Sequence, residues 1–318
     1  MAGVRPGKQS MKIIALKVDV DTLRGTLEGV PALMRLLLAE SAQASFLFSL
    51  GPDHTGRAIK RVFRPGFLGK VQRTSVVEHY GIRTLLYGTL LPGPDIGQRG
   101  AAVMRAVQDA GFETAVHTWD HVAWQDHVQR ADEPWTIAQM TRAEVRYLEI
   151  FGMPPQGHGA AGWQMNDAAF RHLDEAGYGW ASDGRGSFPF LPVIQGKTLR
   201  CPQFPTTLPT LDELLGLEGR NDQAVVDHVL SLTGEPAPAT GHVFTLHAEL
   251  EGMKLAPLFS QLLAGWKSQG YQLVSMAQLA TLTNTATLPR CSILQGEIPG
   301  RSGTLTLQGP SCDTIHPS

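Results

Sequence analysis

The chain has 318 residues, of which 42% are hydrophobic and 18% charged, so it can bury a sizeable core as one large domain or two small ones. A formal net charge of -2 and a pI near 6.6 give no global electrostatic reason to expect nucleic acid as a partner. The widely spaced Cys201, Cys291 and Cys312 argue against a disulfide framework or a thiolate zinc site and favour a reducing compartment.

The two ends of the chain differ in composition from the rest. The N-terminal stretch has neither the apolar segment nor the cleavage site of a signal peptide, and no run of 18 apolar residues occurs in the sequence. We therefore expect a cytoplasmic protein without a membrane span. Because Met11 directly precedes the first apolar run, residues 1–10 are predicted to be a disordered extension. Residues 284–318, rich in Gly, Pro, Ser and Thr, are predicted to be a flexible tail.

Strand and helix patterns alternate along most of the chain. The run "KIIALKVDV" predicts a buried strand, "EGVPALMRLLLAE" predicts the helix after it, and "ASFLFSLG", "FETAVHTWDH", "YGWASD", "GHVFTLH" and "YQLVSM" predict further strands. This alternation is typical of a parallel α/β protein, either a (β/α) barrel or a doubly wound sheet. Three of the predicted strands end in polar clusters, which a barrel brings to one mouth, and we therefore favour the barrel.

A long insertion, residues 52–97, interrupts the alternation. A structureless connection of this length is improbable in a compact domain, so we expect helices of its own and a function such as a lid or docking surface. Its basic residues are interleaved with Phe63, Phe67 and other apolar ones, which suits an anionic membrane surface; a solvated helical face is the alternative. Between Arg57 and Arg83 the only acid is Glu78, and there are seven basic residues: Arg57, Lys60, Arg61, Arg64, Lys70, Arg73 and Arg83.

The first predicted strand ends in two acids, within "KVDVDT". Asp19 and Asp21 are two positions apart, so in a regular strand their carboxylates face the same side and repel each other unless a cation or a proton intervenes. A catalytic strand end is one interpretation of this pair. A solvated strand end with an Asx turn is the other.

The stretch "HTWDH" holds His117 and His121 four positions apart. Both imidazoles can reach one ion at the roughly 2 Å that zinc-type metals require, although two surface or capping histidines are the commoner source of such spacing. A carboxylate from Asp21 would complete a set of two histidines and one aspartate with open positions for water and substrate. Asp120 is left out of this predicted ligand set.

The stretch "VFTLHAELEG" places His247 at the end of another predicted strand. An isolated core histidine is the simplest interpretation. Histidine titrates near neutral pH, however, and therefore also suits a general acid for a departing amine. Asp19, if it is not a ligand, could then be the base that activates the attacking water.

In this order, "DVD", "HTWDH" and "TLH" resemble the motifs of the polysaccharide deacetylase family, also called the NodB-homology or carbohydrate esterase family 4 domain. "GYQLVSMAQL" resembles the closing strand and helix of that family. The resemblance covers roughly residues 11–283 and leaves the insertion 52–97 inside the domain. It implies a distorted (β/α) barrel of the NodB-homology type with a helical insertion, and amide hydrolysis with one divalent metal ion of the Zn, Mn or Co type.

Matched position by position, the family motifs imply a base, three metal ligands and an acid: Asp19, then Asp21, His117 and His121, then His247. Asp183, in "ASDGRG", matches the family carboxylate that orients the acid. The third family motif places an arginine near the base, whereas "GHGAAGW" has none here. Arg185, from the neighbouring motif, is the candidate substitute.

Stretches outside the generic motifs are similar to one subgroup, the bacterial 4-deoxy-4-formamido-L-arabinose-phosphoundecaprenol deformylases; they include "DVDTLRGTLEGVP", "SLGPDHTGR", "AAGWQ", "TLPTLDEL" and "HAELEG". The subgroup implies removal of a formyl group from an undecaprenyl-phosphate-linked formamido sugar, in the pathway that adds aminoarabinose to lipid A and confers polymyxin resistance. We therefore expect two partners, that lipid-linked sugar and the anionic inner-leaflet surface, and no nucleic acid. The protein would be peripherally associated with the cytoplasmic face of the bacterial inner membrane.

Two other hypotheses stay open. A peptidoglycan or polysaccharide N-deacetylase of the same family fits the generic motifs, although the lack of a signal peptide counts against a cell-wall substrate. A catalytically silent barrel that binds a lipid-linked sugar belongs to a different class of function, and the presence of both Asp19 and His247 argues against it.

Overall fold

Strand β1, Lys12–Val20, lies in the middle of the main sheet, and every residue after Lys12 is buried. Its β-branched and apolar sequence fits a parallel strand that is covered on both faces, where no alternation of polar and apolar residues is expected. The computed structural model describes residues 11–62, 82–234, 236–301 and 303–313.

Six more strands join β1 in this sheet, and all of their pairings are parallel. The order is β5-β4-β3-β2-β1-β8, and β9 pairs with the first half of β1. The strands of this path form a curled half-barrel, so the prediction of a distorted (β/α) barrel is confirmed. Their bounds are β2, Ser45–Ser49; β3, Glu113–Thr118; β4, Gly157–His158; β5, Trp180–Ala181; β8, His242–His247; and β9, Tyr271–Val274.

Helices alternate with these strands and cover the sheet. The central core is built from the apolar face of β1 and β2 together with the helices that precede and follow β3 and β8. The α-helices span Val30–Ala39, Thr55–Val62, Ile82–Leu86, Ile96–Asp109, His121–His127, Glu133–Phe151, Asp167–Ala176, Leu211–Leu214, Asp222–Gly234, Ala256–Ser268 and Met276–Leu282. Shorter helical turns of 3-10 or π type span Gly25–Gly29, Val128–Arg130, Ala161–Trp163, Leu217–Gly219 and Thr285–Thr287.

A second sheet of four strands lies outside the half-barrel, in the order β11-β10-β6-β7. The strands are β6, Leu191–Ile194; β7, Lys197–Thr198; β10, Arg290–Gly296; and β11, Leu305–Ser311. The prediction of a flexible tail from residue 284 onward is therefore wrong for β10 and β11. These strands pair with each other, and Cys291 and Leu305 are buried. Two buried side chains and the hydrogen bonds between strands therefore hold this segment in place, although its composition is typical of disordered chains.

The insertion is described only at its two ends. Helices Thr55–Val62 and Ile82–Leu86 pack against each other, and a Cβ on Gly56 would lie 2.5 Å from the carbonyl oxygens of Leu85 and Tyr87. Residues 63–81, which hold the centre of the predicted membrane-docking segment, lie outside the described residues, as does the extension 1–10. Among the helices that the structure describes, none combines the length and apolar character needed to cross a membrane.

Candidate active site

The candidate catalytic and metal-binding side chains converge at the carboxyl ends of β1, β3 and β8. Asp19 and His247 are register partners on the parallel neighbours β1 and β8, so they lie side by side. His117 lies in β3 where the pairing with β2 shifts by one residue, between Val116 and Thr118. The register shift leaves His117 without a partner residue on β2.

The three candidate metal ligands form one cluster. Nε2 of His117 is 3.2 Å from Oδ1 of Asp21, and Nε2 of His121 is 3.4 Å from Oδ2 of the same carboxylate. All three ligand atoms lie within 4.8 Å of one another. Ligand atoms bound about 2.0–2.1 Å from a tetrahedral metal ion are roughly 3.3 Å apart. The cluster therefore has the spacing of three coordinating atoms.

The hydrogen bond of the His117 ring also favours a cation. Nδ1 of His117 lies 2.6 Å from the carbonyl oxygen of Gly159, which can only accept, so Nδ1 donates and Nε2 of the neutral ring keeps a lone pair. That lone pair faces Oδ1 of Asp21, a buried atom without a hydrogen-bond donor in the described part of the chain. Two acceptors at this separation repel each other unless a cation lies between them. The residues therefore fit a divalent metal ion.

Glu249 holds the backbone that carries Asp21. Its Oε1 accepts from the N–H of Asp21 at 3.0 Å and from the N–H and hydroxyl of Thr22, both at 2.8 Å. Burial, and then the charge of Asp21, raises the pKa of Glu249 to about 8. Burial also raises the pKa of Asp21, but His121, His117 and His247 together lower it by more, so that this pKa lies well below its ordinary value. Asp21 is the ionised member of the pair, as a metal ligand must be.

The cation beside the candidate base Asp19 is Lys17. Its Nζ is 2.8 Å from Oδ2 of Asp19, and both side chains are buried. Oδ1 of Asp19 is 3.8 Å from Nδ1 of His117 and has no hydrogen-bond partner among the described residues. Arg185 was the predicted cation, and this prediction is wrong, since its guanidinium bonds to Glu213 at 2.6 Å. Lys17 takes that place because it lies two residues before Asp19 on the same face of β1.

The carboxylate beside the candidate acid His247 is Asp212. Its Oδ1 is 3.9 Å from Nδ1 of His247, within ion-pair range although beyond hydrogen-bond length. Asp183 was predicted to orient this acid, and that prediction is wrong. Oδ1 of Asp183 instead accepts from Nδ1 of His158 at 2.7 Å and from the N–H of Ala160 at 2.9 Å. The reason is topological, because Asp183 follows β5, at the opposite end of the strand order from β8.

The surroundings of His247 favour its protonated form. Burial lowers the pKa of His247, but the acidic groups around it, Asp212 and Asp21 before Glu251 and Asp19, together raise it by more, so that it lies above its ordinary value. Oε2 of Glu251 accepts from the backbone N–H of His247 at 2.7 Å, and burial raises the pKa of Glu251 to about 7. A partly buried histidine with a raised pKa suits a general acid.

The sequence motifs had assigned no role to several residues of the site, among them Lys17 and Asp212. Lys17 did carry a signal, because a lysine inside a buried apolar strand is almost always paired. Asp212 lies in "TLPTLDEL", which is similar to the deformylase subgroup, but nothing in that stretch linked it to His247, because only tertiary folding brings the helix Leu211–Leu214 beside β8. Asp120 was left out of the ligand set, in agreement with its contacts: it accepts from the N–H of Ala123 and so caps the helix His121–His127.

Two curated relatives cover nearly the whole chain. Over 301 residues it is 35% identical to the "Probable 4-deoxy-4-formamido-L-arabinose-phosphoundecaprenol deformylase ArnD" of Shewanella sediminis (strain HAW-EB3), which spans 95% of this chain and 96% of the relative. A protein of the same name from Wigglesworthia glossinidia brevipalpis is 28% identical over 285 residues, 89% of this chain and 98% of the relative. No family model matches the chain.

Solved structures show the same fold at low sequence identity. A Mycobacterium smegmatis protein designated a polysaccharide deacetylase has a TM-score of 0.62 at 16% identity and covers 94% of this chain and 99% of that one. The carbohydrate esterase family 4 domain of a multidomain xylanase from the hindgut metagenome of Trinervitermes trinervoides has a TM-score of 0.50 at 13% identity, over 87% and 95% of the two chains. The protein is thus an amide C–N hydrolase with the polysaccharide deacetylase fold, and it belongs to the family of the 4-deoxy-4-formamido-L-arabinose-phosphoundecaprenol deformylases.

Proposed function

We propose that the protein is a metal-dependent deformylase that converts 4-deoxy-4-formamido-L-arabinose-phosphoundecaprenol to the 4-amino-4-deoxy-L-arabinose lipid, which serves lipid A modification and polymyxin resistance. One observation carries the proposal: a cluster of three candidate metal ligands lies beside a buried carboxylate, Asp19, and a histidine, His247, that are register partners. The names of the two curated relatives support the choice of substrate.

The metal ion would be held by Asp21, His117 and His121. When bound there, a divalent ion supplies Lewis acidity, which polarises the formyl oxygen and makes an attacking water more acidic. The donor set of two imidazoles and one carboxylate is that of a catalytic site with open positions.

Proton transfer is the task of the protein side chains. Asp19 takes the proton of the attacking water on Oδ1, because Lys17 holds Oδ2 in an ion pair. His247 then protonates the sugar nitrogen as the C–N bond breaks, so that formate leaves and the amine stays on the sugar. The carboxylate of Asp212 stabilises the charged ring before this transfer.

We also propose that the basic segment between Arg57 and Arg83 docks the enzyme on the anionic cytoplasmic face of the inner membrane. A polyprenyl-anchored substrate is presented at such a surface, and each basic residue near it adds about 1 kcal/mol of attraction. The support is the composition of the segment, which combines seven basic residues with interleaved apolar ones.

The decisive experiment is incubation of the purified protein with the lipid-linked formamido sugar, with and without a chelator, followed by mass measurement of the lipid and assay of formate. We expect loss of the formyl group, inhibition by the chelator and recovery on adding a divalent metal. Full activity of a metal-free sample contradicts the metal dependence. Release of acetate from an acetamido polysaccharide, without formate release, would favour the N-deacetylase, and tight binding without turnover would favour the silent barrel.

A further inference from the structure

The C-terminal hairpin brings a charged side chain to the candidate acid. NH1 of Arg301 is 3.4 Å from Oδ2 of Asp212 and 3.5 Å from Oε1 of Glu213. Asp212 is the carboxylate beside Nδ1 of His247. We propose that Arg301 is a positioning residue for His247, that it acts through Asp212, and that the loop between β10 and β11 is therefore part of the active site. This inference rests on the proposed function, in which His247 is the general acid.

The two oxygens of Asp212 have separate partners. Oδ1 accepts from the hydroxyl of Thr210 at 2.5 Å and faces His247, whereas Oδ2 faces Arg301. The terminal torsion of an aspartate is broad, so a carboxylate held at one oxygen only can rotate. A cation on Oδ2 restricts this rotation and keeps Oδ1 directed at Nδ1 of the imidazole. The opposite ring nitrogen of His247 is then directed away from Asp212 and available to the substrate.

The position of Arg301 is itself fixed by Trp163. Cζ of the guanidinium is 4.3 Å from the centroid of the indole ring, which is buried and donates from Nε1 to the hydroxyl of Thr206 at 3.2 Å. A stack of this kind on a buried ring holds a guanidinium in one plane. Nζ of Lys17 lies 5.6 Å from the same ring, and Lys17 is the cation of Asp19. The Trp163 ring therefore lies next to two cations: Lys17, which pairs with Asp19, and Arg301, which pairs with Asp212.

The backbone around Arg301 is held against the body of the protein on both sides. Gly300 has a φ of +84°, and a Cβ there would lie 2.5 Å from the carbonyl oxygen of Glu213. On the other side, the N–H of Arg185 donates to the carbonyl of Thr306 at 3.0 Å, and the N–H of Gln308 donates to the carbonyl of Arg185 at 2.8 Å. The loop before β11 therefore presents its arginine at a defined place.

The primary test is the substitution Arg301→Gln, scored on the lipid-linked formamido sugar. We expect kcat to fall at least tenfold, KM to stay within twofold, and bound metal to stay unchanged, because Arg301 acts on proton donation and not on the ligand cluster. The matched control is Arg290→Gln, which breaks an ion pair with Asp313 on the same hairpin but away from the site, and should keep the rate of the unmodified enzyme.

A double-mutant cycle decides whether Arg301 acts through Asp212. We expect Arg301→Gln to have no further effect on kcat when Asp212→Asn is already present, since Arg301 then has no carboxylate through which to position His247. An equal fall in kcat in both backgrounds, or no fall in either, overturns the inference. A protein that releases no formate before any substitution contradicts the proposed function instead.

The substitution Gly300→Ala offers a second route, because it displaces the loop while it keeps the arginine. We expect it to reproduce the loss of kcat seen for Arg301→Gln. Gly303→Ala is its control: Gly303 also has positive φ, at +82°, but a Cβ there meets no atom of the described residues within 4 Å. Equal effects of the two glycine substitutions would assign the loss to strain in the loop and count against the role of Arg301.

Discussion

Lys17 is an ammonium group in the interior of the central strand, with no exposed surface. An isolated buried charge costs several kcal/mol, and a buried ion pair seldom stabilises a fold more than apolar residues of similar volume do. The pair of Lys17 with Asp19 is thus better explained by catalysis than by stability. Lys17 holds one oxygen of the Asp19 carboxylate and leaves the other without a hydrogen-bond partner in the described part of the chain, 3.8 Å from Nδ1 of His117.

Replacement of this lysine tests that explanation. Lys17→Met keeps much of the volume but leaves Asp19 as a buried carboxylate without its cation, so we expect turnover to fall at least tenfold. Lys17→Arg restores the charge and should recover part of the rate. Steady-state kinetics on the formamido substrate measure both. Equal turnover of the methionine variant and the unmodified protein would contradict the role of Lys17.

Asp19 and Asp21 can be separated by experiment although they are two residues apart. Asp19→Asn removes the proposed base and should lower turnover by about 10²–10⁴, the usual contribution of general acid–base catalysis, while the metal content stays unchanged. Asp21→Asn removes a ligand and should lose both activity and metal. Metal analysis of the purified variants provides the comparison, and loss of metal from the Asp19 variant would place Asp19 among the ligands.

The sequence motifs and the structure agree on the residues whose chemistry is local. Asp21, His117 and His121 lie together as predicted, because their strands run parallel and end at one edge of the sheet. The partners of the base and the acid were assigned incorrectly. A motif gives residue types but not tertiary neighbours. Lys17 lies beside Asp19 because both are on one face of β1, and Asp212 lies beside His247 because the helix that begins at Leu211 packs next to β8.

At the scale of elements, hydrophobic periodicity predicted the strands of the half-barrel other than β4, which has only two residues, Gly157–His158. The second sheet was missed because its strands are short or polar. In β11, "LTLQGPS" has two leucines among polar residues, and only pairing with β10 and bridges to the segment at Arg185 make it a strand. Propensity cannot reveal an element whose stability comes from its partners.

A titratable contact between two helices predicts how stability changes with pH. Nε2 of His172, on the helix Asp167–Ala176, is 2.8 Å from Oε1 of Glu144 on the helix Glu133–Phe151. This hydrogen bond raises the pKa of His172 above its unfolded value of about 6.5. The protonated ring therefore stabilises the fold fully below that value, and the contribution is lost as pH rises through the folded-state pKa.

We expect His172→Gln to lower the free energy of unfolding by about 1 kcal/mol more at about pH 5.5 than at about pH 9. Urea denaturation at both values measures the difference. Glu144→Gln should show the same dependence, and the double substitution should add little at acid pH, since each removes one half of the same contact. An equal cost of His172→Gln at both pH values would exclude this linkage.

At the scale of the whole molecule, a net charge of -2 conceals a local excess of basic residues. If the segment between Arg57 and Arg83 docks on a membrane, the protein should co-sediment with anionic liposomes at low salt and be released as ionic strength rises. Neutral liposomes are the control. Reversal of charge at Arg61, Arg64 and Lys70 should abolish binding without a loss of turnover on detergent-dispersed substrate, and unchanged co-sedimentation would refute the docking proposal.

The central position of β1 also has a consequence for biosynthesis. β1 is translated first, but its neighbour β8 begins at His242, which pairs with Ile14 and lies 228 positions later. Since translation adds about 5–20 residues per second, β1 is present in the nascent chain for roughly 10 to 45 s before β8 is synthesised. During this interval one edge of β1 is an exposed template for another chain, so overproduction should favour aggregation before translation is complete, and a ribosome-associated chaperone should raise the yield of active enzyme.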